Sequence, residues 1–347
     1  MYLLRHTRRL QMTKHPHDLN AAMAQRRVFV TGGSGFVGRN IIRHYREAGA
    51  DVRALARSEA AAEIIRHVGG TPVYGSLCET DLVDALTGCD LLIHTAADTS
   101  HGYESAEQWQ VNVEGTEKLF TAARLAGVTR AVHISTESVL LTGAPLQMAS
   151  ETHPLPQKFA GAYSRSKAAA EQAAFAQANE NFFVSVVRPR FVWGKGDTTA
   201  LPQLVAAVSS GKFAWIDGGN YLTSTTHIDN LCDGISRTAE YGKSGEVYFL
   251  TDGEPHIFRD FVSQLLATQG ITAPDKRVPR SLVRILAHLG DGLFRLTRGR
   301  VTSPLNLQTY ATSAVEVTLD ISKARKELGY NPQITLHEGM MKLNKQQ

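Results

Sequence analysis

The sequence predicts an α/β protein: a parallel sheet covered by helices on both faces, with a smaller C-terminal lobe. Three observations carry this expectation. Short β-branched and aromatic runs alternate with segments of helical spacing through the first half of the chain. The first of those runs ends in a cluster of glycines. After Arg190 the alternation loosens into helices and short strands separated by Gly- and Pro-containing joints. At 347 residues the chain exceeds the roughly 100–200 that one domain usually holds. We therefore expect a sheet domain over 27–190 and, over 191–347, a lobe from which some segments return to the first domain. A basic, disordered extension is expected over 1–26.

Each element has its own signal. Residues 27–31 read as a buried strand running into a turn. Residues 39–48 have helical spacing, with Ile41, Ile42 and Tyr45 for one face. A strand at 51–56, a short helix at 60–67, a strand at 90–94, a helix at 114–126 and a strand at 130–135 follow. The Ala-rich stretch 168–178 is helical by propensity, and 182–187 is the next strand. Beyond it, 201–210, 229–241 and 258–269 read as helices and 246–250 as a strand. Residues 281–296 are amphipathic, with Leu282, Ile285, Leu286, Leu289, Leu293 and Phe294 among Arg and His. A lobe helix packed on the core is preferred there over a membrane-surface helix, because surface anchors are usually more basic and more apolar at once.

Composition narrows the class. A hydrophobic fraction of 43% and a charged fraction of 20% describe an ordinary globular chain. No uncharged apolar run approaches the roughly 18–20 residues of a membrane span. Cys78, Cys89 and Cys232 are too few and too scattered for a disulfide framework or a metal site, which suggests a reducing, cytoplasmic setting. The net charge of +4 is unevenly placed. The first 27 residues hold six cations and one acid, leaving 31 cations and 32 acids for the rest. A nearly neutral body has no basic face for nucleic acid. The leader lacks the apolar core of a secretory signal. A disordered extension, or a start placed too early with Met12 and Met23 as alternatives, is expected in preference to an Arg-rich transit peptide.

The glycine turn carries the first chemistry. Thr31-Gly-Gly-Ser-Gly-Phe-Val-Gly38 sets Gly32, Gly35 and Gly38 three residues apart between a strand and a helix. The first glycine permits a tight turn, the second a close backbone approach to a pyrophosphate, and the third helix–strand packing. The helix start at Gly35, Phe36 and Val37 aims unpaired N–H groups at that anion. This points to dinucleotide binding on a Rossmann-type, doubly wound sheet. Where an acid would hold the ribose 2′-OH of NAD, the chain has Ala56-Arg57-Ser58. No carboxylate repels a 2′-phosphate and Arg57 can grip one, so NADP is favoured over NAD.

Tyr163 and Lys167 lie four apart, one helical turn on one face. A phenol with a pKa near ~10 is a poor acid–base catalyst at neutral pH. A nearby ammonium and a cationic nicotinamide lower that pKa. Thr136 closes a predicted strand upstream, so its hydroxyl points into the crevice where open α/β sheets bind ligands. Thr95, Ala96 and Ala97 are small residues against which a cofactor can lie. The segment from Arg188 to Gly194, with Pro189 and Val192, reaches toward the nicotinamide end.

Together these motifs resemble the extended short-chain dehydrogenase/reductases, in the grouping of epimerases, dehydratases and 3β-hydroxysteroid dehydrogenases. The resemblance spans about 27–343 and includes His94–Ala97, Asn112-Val-Glu-Gly-Thr116 and Thr226-His-Ile-Asp-Asn230. It implies Tyr163 as general acid/base, Lys167 on the nicotinamide ribose and Thr136 polarising a substrate carbonyl. Two departures stand out. Gly75-Ser76-Leu77 replaces Gly-Asp-Leu near the adenine, and Val139-Leu140-Leu141 replaces Val-Tyr-Gly. Sugar-nucleotide members carry an Asn where Phe191 stands, and dehydratases carry Asp-Glu where Glu137-Ser138 stands.

The expected activity is therefore NADP(H)-dependent interconversion of a secondary alcohol and a ketone on a lipophilic small molecule, sterol-like or β-keto acid-like. Glu137, Arg190, Phe191 and Trp193 stand as substrate-side candidates. Arg190 is a candidate for a substrate carboxylate, with pairing to an acid or to a cofactor phosphate as equal alternatives. The apolar pocket and the plain lobe core are equal readings of Phe191, Trp193, Phe213 and Trp215. The alternatives are an NAD-dependent nucleotide-sugar epimerase or dehydratase, and a non-catalytic dinucleotide-sensing regulatory protein. The resemblance is compatible with a homodimer, and no metal site is expected.

Overall fold

The first strand, β1 (Arg27–Thr31), buries side chains on both faces. Val28 and Val30 pack with Ile41 and Ile42, while Phe29 packs with Leu92, Leu119 and Phe120. Alternate residues point to opposite faces of a strand, so such a run needs a layer on each side. Full burial of a side chain of this kind contributes about 1.5–3 kcal/mol.

The structure is a computed structural model that describes residues 16–344. β1 joins β2 (Asp51–Ala56), β3 (Thr71–Tyr74), β4 (Leu91–His94), β5 (Arg130–Ile134), β6 (Phe183–Pro189) and β7 (Val247–Leu250) in one sheet. Its order is β7-β6-β5-β4-β1-β2-β3 and every pairing is parallel. The order reverses between β1 and β4, which opens a crevice at the carboxyl ends of those strands. This is the Rossmann-type, doubly wound sheet anticipated above.

Ahead of β1 lies α1 (Pro16–Ala24), and α2 (Phe36–Glu47), α3 (Glu59–His67), α4 (Gly115–Leu125) and α5 (Ala162–Phe175) follow it. Next come α6 (Ile228–Tyr241), α7 (Phe258–Ala267), α8 (Arg280–Leu296) and α9 (Leu307–Ser313). The lobe has its own core of Trp193, Trp215, Phe261, Val262 and Leu265. It also has a four-stranded sheet in which Leu146–Ala149 pairs with Val317–Leu319. The chain therefore passes between the main sheet and the lobe more than once.

Two expectations need correction. The extension expected to be disordered contains α1, whose Leu19 and Met23 are buried and which is followed by an Arg26–Glu240 ion pair of 2.8 Å. Residues 1–15 lie outside the described residues. The lobe helix α8 forms, yet its apolar stripe does not pack on the core. Only Val283, Ala287 and Gly290 are buried, whereas Leu282, Ile285, Leu286, Leu289, Leu293 and Leu296 are exposed. No described helix is long and apolar enough to cross a membrane.

Candidate active site

The glycine turn leaves β1 with Gly32 at φ +68°, a backbone conformation that favours glycine. A Cβ on Gly32 would stand 2.6 Å from Thr95 Oγ1 and 2.8 Å from the Ala96 nitrogen. A Cβ on Gly38 would stand 2.1 Å from the Gly32 carbonyl oxygen, which already accepts from the Gly35 N–H at 2.9 Å. At Gly35, among the described residues, the nearest contact of such a Cβ beyond its chain neighbours is that same oxygen, at 3.2 Å, so the turn is open on that side. Gly35 caps α2 without a side-chain bond, leaving first-turn N–H groups free for an anion. The turn thus fits a dinucleotide pyrophosphate.

Thr95, Ala96 and Ala97 leave β4 beside this turn. Thr95 Oγ1 donates to the Thr31 carbonyl at 2.7 Å, and the Ala96 N–H donates to Thr31 Oγ1 at 3.3 Å. Beneath them the buried His94 bridges Thr31 and Thr116 at 2.6 and 2.9 Å. Burial, aided by the Lys167 charge, lowers His94 to about 3, so the bridge is neutral. Asn112 sits in a π-helical turn, Gln110–Glu114. It accepts from Asp98 N–H at 2.7 Å and donates to Asp98 O and to Ser166 Oγ, tying the 95–98 loop to α5. Such turns are often found at functional sites.

At the end of β2, Arg57 is exposed and has no hydrogen-bond or ion-pair partner among the described residues. Ser58 caps α3 by accepting from the Ala61 N–H. The acid that follows, Glu59, is bonded to Arg66 and Tyr74.

Tyr163 and Lys167 lie one turn apart on α5, both buried. Lys167 Nζ donates to the Ile134 carbonyl at 2.8 Å and lies 3.3 Å from His133 Nε2. Burial lowers its pKa to about 8, against a partial opposing pull from Glu171. Burial also raises the Tyr163 phenol, as does the Glu137 charge, whereas the Thr136 hydroxyl lowers it when its proton turns toward the phenol oxygen. The Thr136 hydroxyl accepts from the Ser138 N–H at 3.1 Å and donates its one proton to Glu137 Oε2 at 2.9 Å. That proton must leave Glu137 before Thr136 can donate to a substrate oxygen.

The substrate-side candidates divide. Glu137 and Arg190 form a buried ion pair of 2.5 Å, and Arg190 also donates to Thr223 Oγ1 and the Thr312 carbonyl. Arg190 is thus paired to an acid rather than free for a substrate carboxylate. Trp193 is fully buried and donates to Asp252 at 2.9 Å, and Trp215 donates to the Pro274 carbonyl. Both belong to the lobe core. Phe191 is half-buried at φ +40°, packed edge-on to Phe261. A positive φ on an aromatic residue is strained backbone. Pro189 is buried at the end of β6, and Val192 pairs with Thr226. Arg188 grips Glu171 with two bonds of 2.8 and 2.6 Å, away from the crevice.

Several neighbours of the site were not singled out from the sequence. His101 lies 4.9 Å, ring to ring, from Tyr163. His133 Nδ1 and Ser135 Oγ are buried without a partner among the described residues. His133 is a polar residue buried in β5 and Ser135 follows that strand directly, and that is a signal. Nothing near His101 in sequence marks it.

Comparison with known proteins agrees with this fold. The 3-beta hydroxysteroid dehydrogenase/isomerase family matches residues 29–280. A 4-hydroxy-2-methyl-3-oxo-4-farnesyl-3,4-dihydroquinoline-1-oxide ketoreductase of Stigmatella aurantiaca is 46% identical, over 90% of this chain and 94% of that protein. A decarboxylating sterol-4-alpha-carboxylate 3-dehydrogenase of Dictyostelium discoideum is 32% identical, over 91% and 99%. Among solved structures, the dTDP-glucose 4,6-dehydratase of Streptomyces venezuelae with NAD and TYD bound superposes at a TM-score of 0.70. It is 23% identical over 92% of this chain and 96% of that one, a likeness of fold.

Proposed function

The chain belongs to the 3-beta hydroxysteroid dehydrogenase/isomerase family, and on that premise we propose that it uses NADP(H) to interconvert a secondary alcohol and a ketone on a lipophilic substrate through Tyr163, Thr136 and Lys167. It is an oxidoreductase of CH–OH groups that works with a nicotinamide dinucleotide. The observation that carries the finer reading is the buried pair Tyr163 and Lys167, one helical turn apart, with the half-buried Thr136 beside Tyr163.

When bound, the nicotinamide supplies or takes up the hydride at the carbinol carbon. Tyr163 exchanges the proton at the substrate oxygen, and Thr136 fixes that oxygen once its own proton turns from Glu137. Lys167 is held by the Ile134 carbonyl with an N–H left over for a ribose hydroxyl, and its charge favours the phenolate. Arg190 balances the charge of Glu137, the carboxylate that otherwise opposes phenolate formation. Arg57 is the group offered to a 2′-phosphate, which supports NADP(H) over NAD(H).

A nucleotide-sugar dehydratase is disfavoured. Ser138 stands where its second acid would be, and Glu137 is held by Arg190 and Thr136. The lipophilic substrate class rests on the farnesyl and sterol groups in the relatives' names.

The test is quenching of tryptophan fluorescence by NADPH and NADH, then consumption of the tighter cofactor against β-keto acids, ketosteroids and nucleotide sugars. NADPH preference with turnover on an apolar ketone is expected. Tight NADH binding with conversion of a nucleotide sugar contradicts the assignment.

A further inference from the structure

We propose that His133 is a positioning residue for Lys167: its neutral imidazole accepts one N–H of the lysine, favours the ammonium form and sets the direction of the N–H that remains. Histidine is out of place where it stands. On β5, Ala131 and His133 share a face, and Ala131 belongs to an apolar cluster with Phe120, Phe182 and Ala174. His133 is fully buried in this layer, and the Phe120 ring of α4 meets it edge-on at 6.0 Å. Burial, then the Lys167 charge, holds its pKa well below the ordinary value, so the ring carries no charge of its own.

The neighbouring strand offers a comparison. His94 of β4 is the register partner of His133, with ring centroids 5.1 Å apart. Thr116 Oγ1 gives its one proton to the Asn112 carbonyl at 2.6 Å. His94 Nε2 must therefore donate to that hydroxyl, and His94 Nδ1 must accept from Thr31. Both nitrogens of His94 are spent within the fold.

His133 differs. Its Nε2 lies 3.3 Å from Lys167 Nζ, and its Nδ1 is buried without a partner among the described residues. An ammonium has only protons to offer. Nε2 must then be the accepting nitrogen and Nδ1 must carry the ring proton, although that N–H meets nothing. A buried donor left unsatisfied is unfavourable, and such a group in a folded protein calls for an explanation. The bond to the lysine supplies it.

Lys167 has need of this partner. Of its three N–H groups one goes to the Ile134 carbonyl at 2.8 Å and one to His133, and the third is left for a ligand. The carboxylates nearby are engaged elsewhere. Glu171, one turn further along α5, is gripped by two bonds from Arg188 of β6, and Glu137 after β5 is held by Arg190. Tyr163 and His94 are neutral. The buried ammonium thus relies on two acceptors among the described residues, one carbonyl and one imidazole. What His133 does rests on the part that Lys167 plays in the reductase reading.

The full-length wild type is compared with His133→Leu, which fills the apolar layer and accepts nothing, and His133→Gln, whose amide oxygen can take the place of Nε2. With an apolar ketone, kcat/KM is expected to fall at about pH 8 in the wild type and in His133→Gln. In His133→Leu the fall is expected about one pH unit lower, an about fivefold loss at pH 8 that shrinks toward pH 6. A merely structural role would lower the whole profile without moving it. A second readout needs no turnover and decides the matter if His133→Leu does not fold. Long-range 1H–15N spectra of histidine-labelled protein, assigned by the signal missing from His133→Gln, are expected to show a neutral ring with its proton on Nδ1 from about pH 6 to about pH 7.5. A proton on Nε2 instead, or a charged ring, overturns the proposal and leaves the reductase reading intact. So does a fall at the same pH in the wild type and His133→Leu. A wild-type profile flat to about pH 10 removes the role of Lys167, and that of His133 with it.

Discussion

At the scale of single residues, Arg57 and Lys167 make the sharpest claims. Arg57 has no hydrogen-bond or ion-pair partner among the described residues. Arg57→Ala is expected to weaken NADPH binding by about tenfold to a hundredfold, from the loss of about 1.5–3 kcal/mol of charged hydrogen bonding, and to leave NADH binding unchanged. Fluorescence titration of both cofactors decides it, and an equal loss for the two assigns Arg57 to the surface. Burial holds Lys167 at about 8, below its ordinary 10.5. It is charged below that pH and neutral above it, so its pull on the phenolate fades as pH rises. A one-proton fall in kcat/KM centred near pH 8 is expected, whereas a profile flat to about pH 10 contradicts this role. For stability the sign is opposite. The unfolded chain holds this proton up to its ordinary pKa, so the cost of burying the charge is full below about 8 and disappears as pH rises toward 10.5. The pairing of Tyr163 with Lys167 was legible because it is local, four residues on one turn. The pairing of Glu137 with Arg190 was not, because 53 positions separate them and nothing in either segment announces the other.

At the scale of elements, the β1–turn–α2 unit is the most fully legible part of the chain. Its glycines answer to contacts that only appear in three dimensions, but their spacing follows from the turn itself. Gly38→Ala places a methyl 2.1 Å from the Gly32 carbonyl. We expect it to cost about 2 kcal/mol or more of stability and to abolish cofactor quenching, read by denaturant midpoint and titration. An unchanged midpoint would mean that the turn relaxes freely. Helix α8 shows what periodicity leaves open. Its 3.6-residue stripe was plain from 281 to 296, yet a stripe says that one face is apolar and not what covers it. Only the small-residue face, Val283, Ala287 and Gly290, reveals which side meets the protein. The lobe aromatics teach the same lesson. Trp193 and Trp215 read equally as pocket or core until the partners of their indole N–H groups, Asp252 and Pro274, place them in the core.

At the scale of the whole molecule, Arg190 joins the two halves. It follows β6 of the sheet, pairs with Glu137 after β5, and bonds Thr223 and Thr312 of the lobe. Arg190→Gln strands a buried carboxylate, which typically costs about 3–5 kcal/mol. Replacing both partners, Glu137→Gln with Arg190→Gln, is expected to restore much of that loss in chemical denaturation; a double change that destabilises by the sum of the two single changes would show that the pair is not coupled. The central claim is that this scaffold carries out proton exchange through Tyr163. The most direct test is Tyr163→Phe, which removes one hydroxyl and leaves the ring on His101. NADPH quenching should remain near that of the wild type while reduction of a lipophilic ketone falls by about a hundredfold or more. Turnover preserved in Tyr163→Phe would contradict the account.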